Sequence, residues 1–143
     1  YLMSNITDTE FVHQMNAINA STSSSILHQL YHADIEFIDP VKHIHGRAHL
    51  IEYFEEIYKG VQSCHFELQG STTEADKSSL EWEMRLRHKT LAPKRDILLS
   101  GVSVLRYRDN LIHYQRDYYD LGAMVYEQIP ILGAIIRKIR GQI

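Results

Sequence analysis

Two aspartates of this 143-residue chain lie in surroundings where a carboxyl group could transfer protons. Asp39 ends a short apolar segment just before Pro40, and Asp117 precedes two tyrosines in a later strand-like segment. An apolar pocket disfavours the charged form of a carboxyl group, which raises its pKa towards neutrality, where a general base or acid works best. The alternatives are that Asp39 only terminates a strand and that Asp117 pairs with an arginine of a neighbouring strand.

Histidines form a second group with possible chemistry. His88 ends the apolar face of a strand-like segment, so it could shuttle a proton or hold a ligand at a pocket mouth, or it could be a hydrogen-bonded histidine at a sheet edge. His43, His45 and His49 place three imidazoles within seven residues, a spacing that could converge on zinc. We expect no metal there, because the segment precedes a helix, no carboxylate completes the set, and such spacings are weak without geometry.

Length and composition bound the function. A chain of 143 residues with 44% hydrophobic and 23% charged residues is typical of one globular domain, here taken as residues 1–143. A net charge of −3 gives no electrostatic reason to expect a nucleic-acid partner. Cys64 is the only cysteine, which excludes an intrachain disulfide. With neither a leader-like start nor a long apolar run, we expect a cytoplasmic protein.

The elements that must position these residues begin with helices. Thr7 and Glu10 have capping-box spacing, which predicts a helix starting near Thr7. The serine run at 21–25 starts a second short helix or forms a flexible linker. Residues 35–39 then predict a short strand, closed by the following proline. A third helix runs from about 49 to 60, and its apolar stripe is Leu50, Phe54, Ile57 and Val61.

Strand periodicity dominates the second half of the chain. Alternating apolar residues predict strands at 64–69, 80–88, 97–107 and 111–120. We expect turns at Ala92 to Lys94 and at Asp109 and Asn110. Long strands joined by short turns form an antiparallel meander, and together with the helices they predict an α+β fold.

Two apolar surfaces remain to be covered. The strand at 97–107 is apolar on both faces, with Leu98, Val102 and Val104 on the second one, so we predict a homodimer through the outer sheet face. A final helix carries basic residues opposite an isoleucine-rich stripe. We expect this stripe to close the pocket or the dimer, and we do not expect the helix to contact a membrane. The stripe consists of Ile131, Leu132, Ile135, Ile136 and Ile139.

The chain resembles the SnoaL-like branch of the nuclear transport factor 2-like superfamily, which includes polyketide cyclases, ketosteroid isomerase and limonene epoxide hydrolase. The resemblance spans about residues 7–140, and its motifs are residues 34–40, the pair Gly46 and Arg47, and residues 116–121. It implies a cone-shaped, curved antiparallel sheet wrapped by N-terminal helices, a cystatin-like roll. This fold hosts many reactions, so the resemblance does not specify one.

Two active-site positions carry over. Asp39 matches the general base of ketosteroid isomerase, and Asp117 matches the aspartate with which limonene epoxide hydrolase activates water. The resemblance implies that both point into one pocket.

Other positions depart from these enzymes. Met84 and Leu86 stand where the epoxide hydrolase has an arginine and a second aspartate, and Phe37 stands where it has a tyrosine. Met15 or Asn16, and a residue near Ser103, stand where the isomerase has its tyrosine and its protonated aspartate. Neither named reaction transfers intact.

The direction of the last strand's side chains is ambiguous. Its periodicity alone turns Ile112, Tyr114 and Tyr118 inward, whereas the resemblance turns His113, Gln115, Asp117 and Tyr119 inward, and we follow the resemblance. The resulting pocket is apolar with few polar groups, the usual composition of a small-molecule site. We predict that a substrate contacts Asn16, Phe37, Trp82, Met84, Leu86, Leu99, Gln115 and Tyr119.

The sequence therefore predicts an enzyme acting on a small hydrophobic molecule without cofactor or metal. Isomerisation, cyclisation, dehydration and addition of water to an epoxide all fit proton transfer at Asp117, with Asp39 and His88 assisting. The alternative is a non-catalytic module of the same fold that binds a hydrophobic ligand or another protein.

Overall fold

The computed structural model describes residues 7–124 and 130–142. Its helices are α1 Asp8–Asn16, α2 Ser23–Leu30, α3 Arg47–Tyr58, α4 Leu121–Met124 and α5 Pro130–Arg140. Its strands are β1 Tyr31–Ile38, β2 His43–His45, β3 Val61–Glu74, β4 Lys77–His88, β5 Ala92–Arg108 and β6 Leu111–Tyr119. The predictions for the first six residues and for the side chains of Ile131, Leu132 and Ile136 lie outside this description.

The described strands form one curved, unclosed sheet in the order β2-β1-β6-β5-β4-β3. Strands β3 to β6 make the predicted antiparallel meander. β1 adds to β6 in parallel, and β2 pairs antiparallel with β1. The predicted α+β class is confirmed.

Local capping explains where the first helices begin. The Thr7 hydroxyl accepts a hydrogen bond from the backbone N–H of Glu10 at 3.1 Å, so α1 starts as the capping-box spacing predicts. The Asn19 side chain accepts bonds from the N–H groups of Ser21 and Thr22 at 2.8 and 3.0 Å. This turn leads directly into α2, so the serine run forms a helix and not a linker.

Two apolar clusters occupy different parts of the sheet. The larger one joins α1, α2 and α3 to β1 and includes the fully buried Leu27, Ile35 and Leu50. The smaller one lies on β4 and β5, where Trp82, Met84, Leu86, Ala92, Ile97 and Leu99 are buried. The smaller cluster forms part of the wall of the cavity described below.

Several predicted boundaries are wrong. The turn after β4 lies at residues 89–91, because the ring of His88 accepts bonds from the N–H groups of Thr90 and Leu91 at 3.2 and 3.3 Å. The predicted turn residues Ala92 to Lys94 therefore begin β5. β1 starts earlier than predicted, at Tyr31, and β2 was not predicted. On α3, Ile51 is buried with Leu50 and Phe54, whereas Ile57 is exposed.

A β-bulge resolves the ambiguity of the last strand. Ile112 pairs with Tyr107, but Tyr114 pairs with Arg106, so His113 is an extra residue in β6. Ile112 and Gln115 are consequently both buried, although they are three residues apart. Before the bulge, the side-chain direction predicted from periodicity is correct. After the bulge, the direction predicted from the resemblance is correct.

The outer face of the sheet is apolar in part, as predicted. Leu98 on β5 and Tyr118 on β6 are 55% and 51% exposed, and Val102 pairs with Tyr118 between the two strands. On α5, Ile135 and Ile139 are also exposed. None of the helices in the described ranges has the length and apolar character needed to cross a membrane.

Candidate functional site

A cavity of about 710 Å³ lies between α3 and the inner face of β4, β5 and β6. Its volume is in the range of about 300–1,000 Å³ that is usual for small-molecule sites. Both predicted aspartates, the predicted catalytic histidine and most of the predicted substrate contacts line it. They are Phe37, Asp39, Trp82, Met84, Leu86, His88, Leu99, Asp117 and Tyr119.

Aromatic side chains shape the inner wall of this cavity. The Trp82 ring meets the Phe66 ring edge-on, with centroids 5.3 Å apart, and lies 6.4 Å from the Tyr119 ring. Gly101 pairs with Trp82 across β4 and β5, and any side chain at Gly101 would overlap the indole. The missing side chain therefore allows the tryptophan to lie across the sheet and form a wall.

Asp117 is the most strongly perturbed acid along this wall. Its Oδ1 accepts hydrogen bonds from the Ser103 hydroxyl at 2.6 Å and from the Gln115 amide at 2.9 Å. Within residues 7–124 and 130–142, no group donates to Oδ2. Burial raises the pKa of Asp117 from 3.8 to about 6, the charge of Asp39 adds to this rise, and the two hydrogen bonds oppose it.

A buried hydrogen-bond network fixes the position of the Asp117 carboxyl group. The hydroxyl of Tyr31 donates to Gln115 Oε1 at 2.6 Å, which turns the amide nitrogen of Gln115 towards Asp117. The indole N–H of Trp82 donates to the Ser103 hydroxyl at 2.9 Å, which orients the Ser103 proton towards Asp117. Gln115 is fully buried and does not line the cavity, so it supports the acid and is not placed to contact a ligand.

Asp39 lines the same cavity but is held on both oxygens. Oδ1 accepts the N–H groups of Val41 and Lys42 at 2.7 and 2.8 Å and so closes the turn between β1 and β2. Oδ2 accepts the hydroxyl of Tyr53, on α3, at 2.7 Å. Asp39 therefore terminates a strand, as one alternative holds, and also places a carboxylate at the cavity.

The hydroxyl of Tyr119 can donate a hydrogen bond to a ligand in the cavity. Its hydroxyl has no hydrogen-bond partner among the described residues, and its side chain lines the cavity. Burial raises its pKa, and the charges of Asp39 and Asp117 raise it further, so the phenol stays neutral across the physiological range. The cavity thus presents a carboxyl group with a pKa near neutrality together with a neutral hydroxyl.

His88 lines the same cavity as Asp117 but lies at the end of β4, eight residues beyond the position level with Asp117. Asp117 is next to Ser103, which pairs with Leu80, and His88 follows Leu80 by eight residues. At about 3.3 Å per residue, a straight strand would separate these positions by roughly 26 Å. The Nδ1 atom of His88 accepts bonds from the turn after β4. This geometry favours the alternative of a hydrogen-bonded histidine at the sheet edge.

Asn16 does not line the cavity. Its amide nitrogen donates to the carbonyl of Phe66 at 2.9 Å, and its oxygen accepts the Phe66 N–H at 2.7 Å. This reciprocal pair connects α1 to β3. The predicted substrate contact at Asn16 is therefore replaced by a structural role, because both polar atoms of its side chain bind backbone.

We expect Asn16→Ala to destabilise the fold by about 1–3 kcal/mol, because it leaves two partly buried backbone groups of Phe66 without partners. Urea unfolding of the variant and the wild type measures this difference. His13→Ala, which changes an exposed polar residue of the same helix, is the control. Equal stability of Asn16→Ala and wild type would contradict the structural role.

The sequence did not identify Ser103 as a donor to Asp117 or Tyr53 as a donor to Asp39. Ser103 is an inward residue of β5, and only the register of β5 against β6 brings it to Asp117. The spacing of Gln115 and Asp117 was a usable signal, since side chains two residues apart share a strand face. Tyr53 carried no such signal.

Comparison with known proteins gives a consistent family and fold. The sequence profile of the SnoaL-like domain matches residues 10–115. No curated protein matches the chain. A Catenulispora acidiphila protein with a ketosteroid isomerase-like fold, crystallised with trimethylamine, is 22% identical, with a TM-score of 0.71 over 85% of this chain and 93% of that one.

Two further solved structures share the fold. A proposed SnoaL-like polyketide cyclase from Jannaschia sp. CCS1 is 11% identical, with a TM-score of 0.65 over 85% of this chain and 94% of that one. A proposed isomerase of the SnoaL-like family from Agrobacterium tumefaciens is 16% identical, with a TM-score of 0.62 over 77% and 91% of the two chains. At these identities the likeness establishes the fold and not the reaction.

Proposed function

This chain belongs to the SnoaL-like domain family, and from that membership and the geometry of its cavity we propose that it catalyses proton transfer on a small hydrophobic carbonyl compound without a cofactor. The observation that carries the proposal is the Asp117 carboxyl group, which lines an apolar cavity with one oxygen fixed by two donors and the other without a donor among the described residues. A base needs an accessible oxygen and a pKa near the working pH. Asp117 meets both requirements.

The proposed reaction begins at a carbon next to the carbonyl group. Oδ2 of ionised Asp117 removes a proton from this carbon, the electron pair of the broken C–H bond forms a C=C bond to the carbonyl carbon, and the π pair of the C=O bond moves onto the oxygen to give an enolate. The neutral Tyr119 hydroxyl donates a hydrogen bond to that oxygen as its charge grows. Where the substrate has a C=C bond next to the carbon that loses the proton, return of the proton to the far end of the resulting dienolate completes an isomerisation.

Related outcomes use the same first step. Attack of the enolate on a second carbonyl of the same molecule, whose oxygen takes the proton back from Asp117, gives cyclisation. Loss of a hydroxyl group from the next carbon, which leaves as water with that proton, gives dehydration. Addition of water to an epoxide would instead require Asp117 to deprotonate a water molecule. The inner wall favours the carbonyl reactions, because its apolar side chains, Phe37, Trp82, Met84, Leu86 and Leu99, suit a hydrophobic carbonyl compound.

Deuterium exchange tests the proposal without knowledge of the product. We expect the wild-type protein to speed incorporation of deuterium from D2O into hydrophobic ketones that fill the cavity, followed by loss of the proton signal in NMR spectra. Small ketones such as acetone serve as the size control, because they leave most of the 710 Å³ empty. Exchange at the uncatalysed rate for bulky ketones and diketones alike would contradict the proposal.

A binding module without turnover is the second candidate. Aromatic walls with two carboxylates suit a hydrophobic cation, whose charge is attracted both to ring faces and to carboxylates. The trimethylamine held by the Catenulispora protein is an amine of this class, bound to the same fold. Tight amine binding together with no exchange in any ketone would favour this candidate.

We propose, as the sequence predicts, that the outer sheet face pairs two copies of the chain. Leu98→Glu would place a charge on that face, so we expect it to convert the dimer to a monomer, measured by light scattering during size-exclusion chromatography. Val41→Glu is a matched control, because Val41 is also about half exposed, at 50%, but lies in the turn between β1 and β2. A wild-type monomer would contradict the prediction. The cytoplasmic location stays a prediction.

A further inference from the structure

The hairpin of β1 and β2 brings two histidines and a glutamate together on one face. Glu36 pairs directly with His45, and His43 lies two residues away on the same side of β2. Ile44, between the histidines, packs against the core from the opposite side. One ligand atom from each of Glu36, His43 and His45 lies within 4.8 Å of the other two.

We propose that Glu36, His43 and His45 bind a divalent transition-metal ion, with zinc as the ion that matches these ligands. Imidazole nitrogens and a carboxylate oxygen are ordinary zinc ligands. Three ligands from the protein leave at least one position for water. The site lies on the exposed part of the hairpin and is separate from the carboxyl group of Asp117 in the cavity.

Two of the three separations between ligand atoms suit an ion, and the third, between the two histidines, lies within 4.8 Å. Oε2 of Glu36 is 2.8 Å from Nε2 of His43 and 3.8 Å from Nε2 of His45. Ligand atoms bound to tetrahedral zinc at about 2.1 Å are about 3.4 Å apart, which lies between these two values. The His43 and His45 rings are already side by side, with centroids 4.8 Å apart.

The ligand set differs from the one suggested by sequence spacing. The expectation that no carboxylate completes the histidines is wrong, because Glu36 reaches them from the neighbouring strand. His49 is instead on α3, 3.6 Å from Glu52, and it is not part of the group. Replacement of His49 therefore tests which three residues bind the ion, because His49 belongs to the group suggested by sequence spacing and not to the group found in the structure.

The hairpin position gives the ion a structural consequence. A metal held by Glu36 and both histidines would join β2 to β1 at the edge of the sheet. The turn between these strands is closed by Asp39. Because an ion that binds only the folded chain stabilises it, the melting temperature should rise with zinc concentration.

Isothermal titration of the full chain with zinc chloride tests the site. We expect one ion per chain, and we expect Glu36→Gln and His43→Gln each to weaken binding at least tenfold, in line with the loss of one of three ligands. His49→Ala should bind zinc like the wild type. His65→Ala, which removes an exposed histidine on β3, is the control for weak binding at surface histidines.

Melting in the absence of zinc checks that the variants fold, since all three ligands are at least partly exposed. At the same zinc concentration, zinc should raise the melting temperature of the wild type more than that of His43→Gln. The absence of saturable binding would overturn the proposal. So would an equal loss of affinity in His65→Ala or a larger loss in His49→Ala than in Glu36→Gln.

Discussion

Asp117→Asn should lower the rate of deuterium exchange, on any ketone that the wild type turns over, by about 10²–10⁴, the usual contribution of a general base. The asparagine oxygen can still accept from Ser103 and Gln115, so the side chain keeps its position and loses only its ability to take a proton. In the wild type, the base must be ionised. The rate should therefore rise with pH and reach half its maximum near pH 6.

Asp34→Asn is the matched control for this experiment. Asp34 is on β1, its side chain is 80% exposed, and it does not line the cavity, so the same chemical change should leave the rate unaltered. Thermal unfolding of both variants confirms that each is folded. An Asp117→Asn variant that keeps more than a tenth of the wild-type rate would contradict the role of Asp117.

Asp117 should also make the folded protein less stable at neutral pH than in acid, relative to Asp117→Asn. Its pKa is about 6 in the folded chain and 3.8 as the ordinary value, so the folded state holds the proton more tightly. Stability is therefore greatest below pH 3.8, falls as the pH rises to 6, and stays lower above it. A pKa difference of this size corresponds to roughly 2–3 kcal/mol.

The measurement compares free energies of unfolding of wild type and Asp117→Asn in urea at pH 4 and pH 7. We expect Asp117→Asn to gain stability relative to the wild type between these two pH values. Asp96→Asn is the control, because Arg85 and Arg87 hold the pKa of Asp96 below its ordinary value, so that the difference between wild type and Asp96→Asn should change little between pH 4 and pH 7. A constant difference between wild type and Asp117→Asn would show that Asp117 titrates normally.

Sequence patterns were sufficient for the fold wherever local chemistry decides it. Thr7 begins α1 through its own hydroxyl, and Asp109 and Asn110 form a turn because both take positive φ angles, 53° and 63°. The long strands follow from alternating apolar residues, which one buried face requires. The predicted position of the turn after β4 is wrong, because Pro93 is compatible with the beginning of β5 as well as with a turn.

The candidate site depends more on contacts between distant segments. The resemblance located Asp39 and Asp117, and the structure brings both to one cavity. The sequence did not predict that Ser103 and Tyr53 bind the two aspartates or that Glu36 lies beside the histidines. Strand register and helix packing bring these residues into place, and a single sequence shows neither the register nor the packing. Asn16 and Gln115 were predicted to contact a ligand. In the structure, the Asn16 amide binds the backbone and the Gln115 amide binds buried side chains.

The proposed function depends on Asp117 as a proton acceptor that faces the cavity, and carbon-13 NMR titration of its carboxyl group tests this directly. The chemical shift of the carboxyl carbon reports its protonation, and comparison with Asp117→Asn identifies the signal. We predict a pKa of about 6 in the free protein and a further rise when a neutral hydrophobic ligand fills the cavity and excludes water. A pKa near 3.8 that does not change with ligand would contradict the proposed function.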